Sequence, residues 1–568
     1  MRKGLVFGII LLAFILRTYD VYTYPPGFTP DEASFGYDAY SILKTGKDQW
    51  GRSFPLVLES FGDYKPPLYA YILAPSVAAF GLNKFAVRFP NALLGTLAVL
   101  ATYLMVKELF RNNRNWPLAG KERILAETAS TLLAVSSWHV MLSRGGFEAN
   151  LPTLLIPLAI YLFLKGLKKP RILILSAFVF GLNLFSYHSA RVVTPLILLF
   201  LVFAFWKFVK RLDKKQLAIS LLIFTSFFVL MANTFLRGAG ARVQDISVLS
   251  GALEEAAPHR LALINKGLSP NMARLVHNKY QIAAKRFISN YSQYFSLKFL
   301  FLDGPAEATY GMIPGRGVLY WFELPFLIGF VILFLKSKKK RLLFLIIAWL
   351  LISPIPAALT MGRGYAANRA ATMIPAIQVV LALGAVSLHT FTRRVLRPKL
   401  ISYATAEYVF LSLIFFVFFI RDYFANPPLI SAKAMLSGNL EAAQWLKENA
   451  SKTRPVIISR KLSEPHIYIA FALKWEPADY QKETEDWTRY RQEGLLFLDQ
   501  LGEYSLGNYT FSDIDMESRQ SESVLLVGRP DEFPKDIGAL VIKTFYYPNR
   551  EPAIFIVDPG LEVYAKTN

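Results

Sequence analysis

The residues best suited to chemistry begin with two adjacent carboxylates, Asp31 and Glu32, in the segment TPDEASFGYDAYSILKTG. They stand just ahead of a helical pattern, where acids are favoured electrostatically, so capping alone accounts for them. A carboxylate held there can also take the proton of a hydroxyl that attacks an electrophilic carbon. Farther on, GDYKPPLYAYI supplies Asp63 and Lys65. A lysine at this point can bind a phosphate as a point charge, or snorkel to a membrane interface. Arg88, in KFAVRFPNALLG, is open to the same two readings, phosphate binding and anchoring.

Three short turns add to this set. SRGGFEANLP carries Arg144 and Glu148, which an ion pair closing a helical hairpin would explain; FSYHSAR carries His188 and Arg191; MGRGYAANR carries Arg363 and Arg369. Each is weak alone. Together they gather carboxylates, a histidine and arginines at the ends of apolar stretches, where ionisable groups are costly and often functional. Such a set suits an anionic, lipid-anchored substrate: basic groups hold the leaving phosphate and a carboxylate activates the nucleophile. It suits ion translocation less, because a pathway calls for ionisable groups at mid-depth. The pair Asp513 and Asp515 matches the loose D-x-D metal pattern by chance, in a segment where no nucleotide sugar is expected.

The elements that must position these groups are membrane spans. The chain is 54% apolar and 14% aromatic over 568 residues, too apolar for ordinary soluble domains. Stretches long enough to cross a bilayer fall near 86–108, 124–142, 149–166, 171–187, 191–209, 216–236, 317–336, 341–360, 370–390 and 402–420. With an uncleaved N-terminal helix over Leu5 to Leu16 they give about eleven. The net charge of +22 sits in short runs between them, as in WKFVKRLDKK and LKSKKKR, which fits cytoplasmic loops and argues against nucleic acid as a partner. With the N-terminus inside, the runs at 107–123, 165–171, 207–215, 336–341 and 393–399 all fall on the inner side. Counting Pro66 to Leu82 as a span would turn them all outward, so that segment is expected to lie along the outer surface. Three outer segments result: 17–86, 237–316, read as one or two surface helices, and a tail over 421–568. The tail mixes a helical pattern, LEAAQWLKENA, with strand-like PVIISR, SVLLVG, ALVIKTF and AIFIVD, a small α/β domain with no chemistry of its own in view. No cysteine is present, which removes disulfides and thiolate chemistry.

In the order FTPDEASFGYDAYSILKTG, then DYKPPLYAYILAPSVAAFGLNKFAVRFPNALLG, the chain resembles the protein mannosyltransferases that use dolichyl-phosphate mannose and the bacterial aminoarabinose lipid A transferases, both integral-membrane glycosyltransferases of the GT-C type. The resemblance implies a GT-C transmembrane catalytic domain over 1–420 and an extracytoplasmic α/β domain over 421–568. It implies an inverting transfer from a polyprenyl-phosphate sugar donor to a glycolipid, glycan or protein acceptor at the outer face of the inner membrane. By it Asp31 would be the base, with Glu32 beside it, and Lys65 and Arg88 would contact the lipid-linked phosphate. Arg363 and Arg369 would contact the donor phosphate, and Glu148 stands where an aspartate is commoner. A divalent cation is left open as a cofactor, with no ligand assigned. An oligosaccharyltransferase would need a Trp-Trp-Asp motif, and no two tryptophans are adjacent here. A lipid-linked sugar flippase is the alternative from another class, and a scaffold carrying the outer domain is a third.

Overall fold

The computed structural model describes residues 2–111, 116–235, 247–306, 308, 310–361, 366–425, 429–451, 453–495, 497–516 and 523–561. Helices form on the apolar stretches. Among the described residues, six are long and apolar enough to cross a membrane, including α4 (Lys84–Leu109), Glu148–Gly166, Lys214–Thr234 and Ala371–Val395. The chain is a multi-pass membrane protein. The difference from eleven lies in stretches that are short or interrupted. The expected span at 124–142 divides into Glu122–Val135 and Ser137–Leu142, where the Ser136 hydroxyl caps the second piece by accepting from the His139 amide. Others, such as Ile172–Asn183 and Ala190–Ala204, are shorter apolar helices.

Between α1 (Arg2–Thr18) and α4 runs the first loop. Its helix α2 (Pro30–Thr45) starts where Thr29 and Glu32 cap each other's backbone amides, with Pro30 in the first turn, and stops at Gly46, whose φ of 70° suits a residue without a Cβ. A two-strand hairpin follows, β1 (Leu58–Glu59) against β2 (Tyr64–Lys65), with Leu58 opposite Lys65. Helix α3 (Leu68–Phe80) has 13 residues, roughly 20 Å, short of the ~30 Å a span needs. Asp63 and Lys65 therefore stand on or beside the hairpin, ahead of the apolar helix rather than in its first turn. Among its described residues the middle loop forms three α-helices, Ala252–Asn265, Pro270–Val276 and Lys279–Gln293, more than the one or two expected.

The C-terminal segment holds a six-stranded mixed sheet in the order β4-β5-β3-β6-β8-β7, from β3 (Val456–Ser459), β4 (Tyr504–Leu506), β5 (Tyr509–Ser512), β6 (Leu525–Gly528), β7 (Val541–Tyr546) and β8 (Pro552–Val557). Strands β5 and β6 flank β3 in parallel, and the other pairs are antiparallel. The four strand-like runs read from the sequence are β3, β6, β7 and β8. This sheet does not keep its core to itself. Phe28, Tyr37, Tyr69 and Val87 of the first loop and α4 share one buried cluster with Tyr468 and Phe471 of the helix Pro465–Leu473. At Gly36 the approach is close: a Cβ there would meet the Val87 side chain at 2.6 Å and the Phe471 ring at 2.7 Å.

Candidate active site

Asp31 sits in the first turn of α2 with its side chain 38% exposed and forms an ion pair with the buried Lys65. The hairpin brings Lys65 there, and its ammonium also donates to Ser60 Oγ at 3.1 Å and lies over the rings of Phe35 and Phe61, 5.0 and 5.6 Å from their centroids. These contacts fix the ammonium while leaving Asp31 open to a cavity of about 380 Å³. Asp31, Ser60, Asp63, Tyr310, Glu464 and Phe497 are among the residues that line it.

Glu32 faces the other way. It is fully buried, and both oxygens are engaged: Oε1 accepts from Arg88 Nε at 2.7 Å and the Gly146 amide at 2.8 Å, Oε2 from Arg88 Nη2 at 3.0 Å and the Thr29 amide at 3.1 Å. Burial alone would raise its pKa, but the Arg88 charge and these donors outweigh it and hold the carboxyl below its ordinary value. Arg88 is as fully committed, since it also donates to the carbonyls of Pro25 and Gly27 at 2.9 and 2.8 Å. The expected phosphate contact is thus placed as a clamp under α2, away from the cavity. The reason is local: α2 and α4 both start at this level, and a guanidinium between them satisfies carbonyls that the loop 21–27 leaves without partners.

Glu148 opens the Glu148–Gly166 helix, is buried, and feels the charges of Asp31, Lys65 and Asp63. Tyr310 was not singled out in the sequence. It stacks edge-on against Phe147 at 4.8 Å, and burial, then Asp31 and Glu148, raise its phenol far above its ordinary pKa. It is therefore a neutral donor beside two acids, and no motif in ATYGM announces it.

The remaining candidates divide. Asp63 is exposed on the cavity rim. Arg144 is buried and donates to the Leu16 and Tyr19 carbonyls at 2.7 and 2.6 Å, with its guanidinium 4.6 Å from the Phe424 ring centroid; it ties the end of α1 to residues after the last apolar helix instead of pairing with Glu148. Arg191 is buried with Nη1 3.5 Å from Nδ1 of the exposed His188. Arg369 donates to Thr360 Oγ1 at 3.0 Å and acts on Tyr310, which places it near the same cavity. Arg363 lies outside the described residues.

The C-terminal domain contributes part of the cavity wall through Ser463, Glu464 and Phe497, which composition had not marked as chemical. The domain is fastened to the first loop by hydrogen bonds from Tyr468 to the Phe28 carbonyl at 2.7 Å and from Tyr37 to the Trp475 carbonyl at 3.0 Å. Asp513 of the D-x-D pair is taken by Arg460 at 2.8 Å.

A larger cavity, about 660 Å³, lies at the other end of α4, roughly 39 Å away for a helix of 26 residues. Arg111, Lys168, Lys207, Lys339, Lys340 and Arg341 line it, and its acid Glu108 is paired with Lys165 and Lys168. Its one acid, Glu108, is shared by two lysines and is 6% exposed among the described residues, whereas Asp31 in the smaller cavity has a single cation partner and is 38% exposed. The larger cavity does bring four of the five basic runs to one end of the bundle, and Lys121 is joined there by the charges of Arg393 and Arg394 from the fifth.

Residues 64–231 match the family described as dolichyl-phosphate-mannose-protein mannosyltransferase. Two crystal structures of ArnT from Cupriavidus metallidurans, one bound to undecaprenyl phosphate and one in the apo state, align with 98% of this chain and 98% of theirs, at 11% identity and a TM-score of 0.50. The S. cerevisiae protein O-mannosyltransferase Pmt1-Pmt2 complex bound to the sugar donor aligns over 42% of this chain and 34% of its own, at 18% identity and a TM-score of 0.31. No protein of curated function matches the chain. Residues 64–231 thus resemble the protein mannosyltransferase family in sequence, and the whole chain is similar to ArnT in fold.

Proposed function

We propose that the protein is an inverting glycosyltransferase that moves a sugar from a polyprenyl-phosphate donor to a glycolipid, glycan or protein acceptor at the outer face of the inner membrane. The observation that carries this is the exposed Asp31 carboxylate, held by buried Lys65 in a cavity at one end of an ArnT-like bundle. Asp31 takes the acceptor's hydroxyl proton as that oxygen bonds the anomeric carbon. The bond from that carbon to the phosphate oxygen breaks, its electron pair leaves with the polyprenyl phosphate, and configuration inverts. Lys65, behind Asp31, offsets the charge of the leaving phosphate, and Tyr310 and Ser60 line the cavity as neutral donors. Glu32, Arg88 and Arg144 hold α2 and the loop 16–27 in place and do not touch the reacting atoms.

The outer-face assignment draws on charge. The basic runs gather at the end of α4 opposite Asp31, and lysine and arginine mark the cytoplasmic side. The N-terminus is then cytoplasmic and the sheet domain extracytoplasmic. The test is a panel of radiolabelled polyprenyl-phosphate sugars given to detergent-purified protein with a lipid and glycan extract, followed by NMR of the product's anomeric centre. Transfer with inversion is expected from one donor. Retention of configuration, or movement of labelled lipid across proteoliposomes without any release of sugar, would overturn the reading.

A further inference from the structure

We propose that Glu464, His466 and Asp499 form a divalent-cation site, of zinc or manganese chemistry, in the wall between the sheet domain and the Asp31 cavity. One donor atom of each lies within 4.8 Å of the other two. Two carboxylates and an imidazole suit first-row transition cations, whereas calcium and magnesium take oxygen donors. The observation that points to a ligand is Glu464 Oε2. The side chain is 9% exposed, this oxygen lies 3.8 Å from His466 Nδ1, and it has no hydrogen-bond partner among the described residues.

The surroundings are those of an oriented site. Asp499 accepts from the Tyr504 hydroxyl at 2.7 Å and from the Glu464 amide at 2.9 Å, which fixes its carboxylate. The His466 ring is held edge-on by Trp487, Phe61 and Tyr504, at 5.1, 5.3 and 5.7 Å between centroids. Its Nε2 has no partner among the described residues, so the tautomer that frees Nδ1 for a cation gives up a 3.2 Å contact with Tyr504 and carries the ring proton on Nε2. The nearest cations are spent elsewhere: Arg460 donates to the Asp499 backbone carbonyl and to Asp513, and Lys65 to Asp31 and Ser60. A tetrahedral set of ligands 2.0–2.1 Å from zinc spans roughly 3.3 Å between donors, so donors up to 4.8 Å apart must close by up to about 1.5 Å around the ion. Glu464 lines the cavity, which supplies the entry path. The inference does not rest on glycosyl transfer, and binding is read without a sugar donor.

Full-length protein in detergent, stripped with EDTA and titrated with Zn²⁺ and with Mn²⁺ by calorimetry, should take up one ion per chain, confirmed by metal content. The isosteric variants Glu464→Gln and Asp499→Asn should weaken binding by at least the roughly 10- to 100-fold that loss of an outer-shell partner costs, with unfolding midpoints in EDTA close to wild type. Asp31→Asn should bind as wild type does. The proposal fails if stripped wild-type protein shows no saturable binding at millimolar cation, in which case a proton shared between the two carboxyls balances the site. It also fails if Asp31→Asn abolishes binding while Asp499→Asn retains it, which would put the ion at Asp31 and Glu148.

Discussion

Asp31 and Glu32 are neighbours in sequence and opposites in environment, and substitution should separate them. Asp31→Asn keeps an oxygen for Lys65 and alters a side chain that is 38% exposed, so the unfolding midpoint should stay near wild type while turnover falls about 10²- to 10⁴-fold, as expected for loss of a general base. Arg88→Ala should instead cost about 3–5 kcal/mol, because it leaves the buried Glu32 charge without its partner; chemical denaturation in mixed micelles would measure this. Glu32 also sets a pH dependence. Its folded pKa is lowered, so its contribution is full above the unfolded value near 4.5 and is lost as pH falls through the folded one. Wild-type stability should therefore drop on acidification below about pH 4.5, and Glu32→Gln, already lacking that contribution, should flatten the drop. Residue type leaves both acids open between capping and catalysis, which call for the same residues at the same place, and only the family resemblance puts the base at Asp31. What separates their surroundings is which way each oxygen turns, and that depends on Gly146 and Arg88 arriving from other elements.

The elements themselves were more legible. Apolar length and flanking lysines marked α4 and the helix Lys214–Thr234 with little ambiguity, and the Pro-Leu-rich segment after Lys65 forms α3, too short to span. Less legible were breaks such as Ser136, where the hydropathy is continuous and only a side-chain cap interrupts the helix. The β1–β2 hairpin was missed because two-residue strands carry no period to detect. Packing of α2 against the helix Pro465–Leu473 gives the test at this scale. Gly36→Val would push a branched side chain into Val87 and Phe471, and overpacking of this kind costs about 1–3 kcal/mol. Lower thermal stability is expected, with the sheet domain more readily released to protease; an unchanged digestion pattern would count against the contact.

At the scale of the whole molecule, the sheet domain is a wall of the site rather than an appendage. Tyr468 reaches the Phe28 carbonyl 440 residues away, and no local pattern could have shown that Glu464 and Phe497 share a cavity with Asp31. A chain truncated after residue 428 should expose the shared core and elute as aggregate in size-exclusion chromatography; a monodisperse, active truncation would contradict the wall. The basic runs, by contrast, are legible in sequence as one set, and four of the five meet at one end of the bundle. The most direct test of the central claim is a single-turnover assay with a polyprenyl-phosphate sugar that the wild type consumes, run on wild type and Asp31→Asn matched for unfolding midpoint. Sugar release in the variant is expected to fall about 10²- to 10⁴-fold while donor binding persists. Release at the wild-type rate would show that Asp31 is not the base and that the chemistry lies elsewhere.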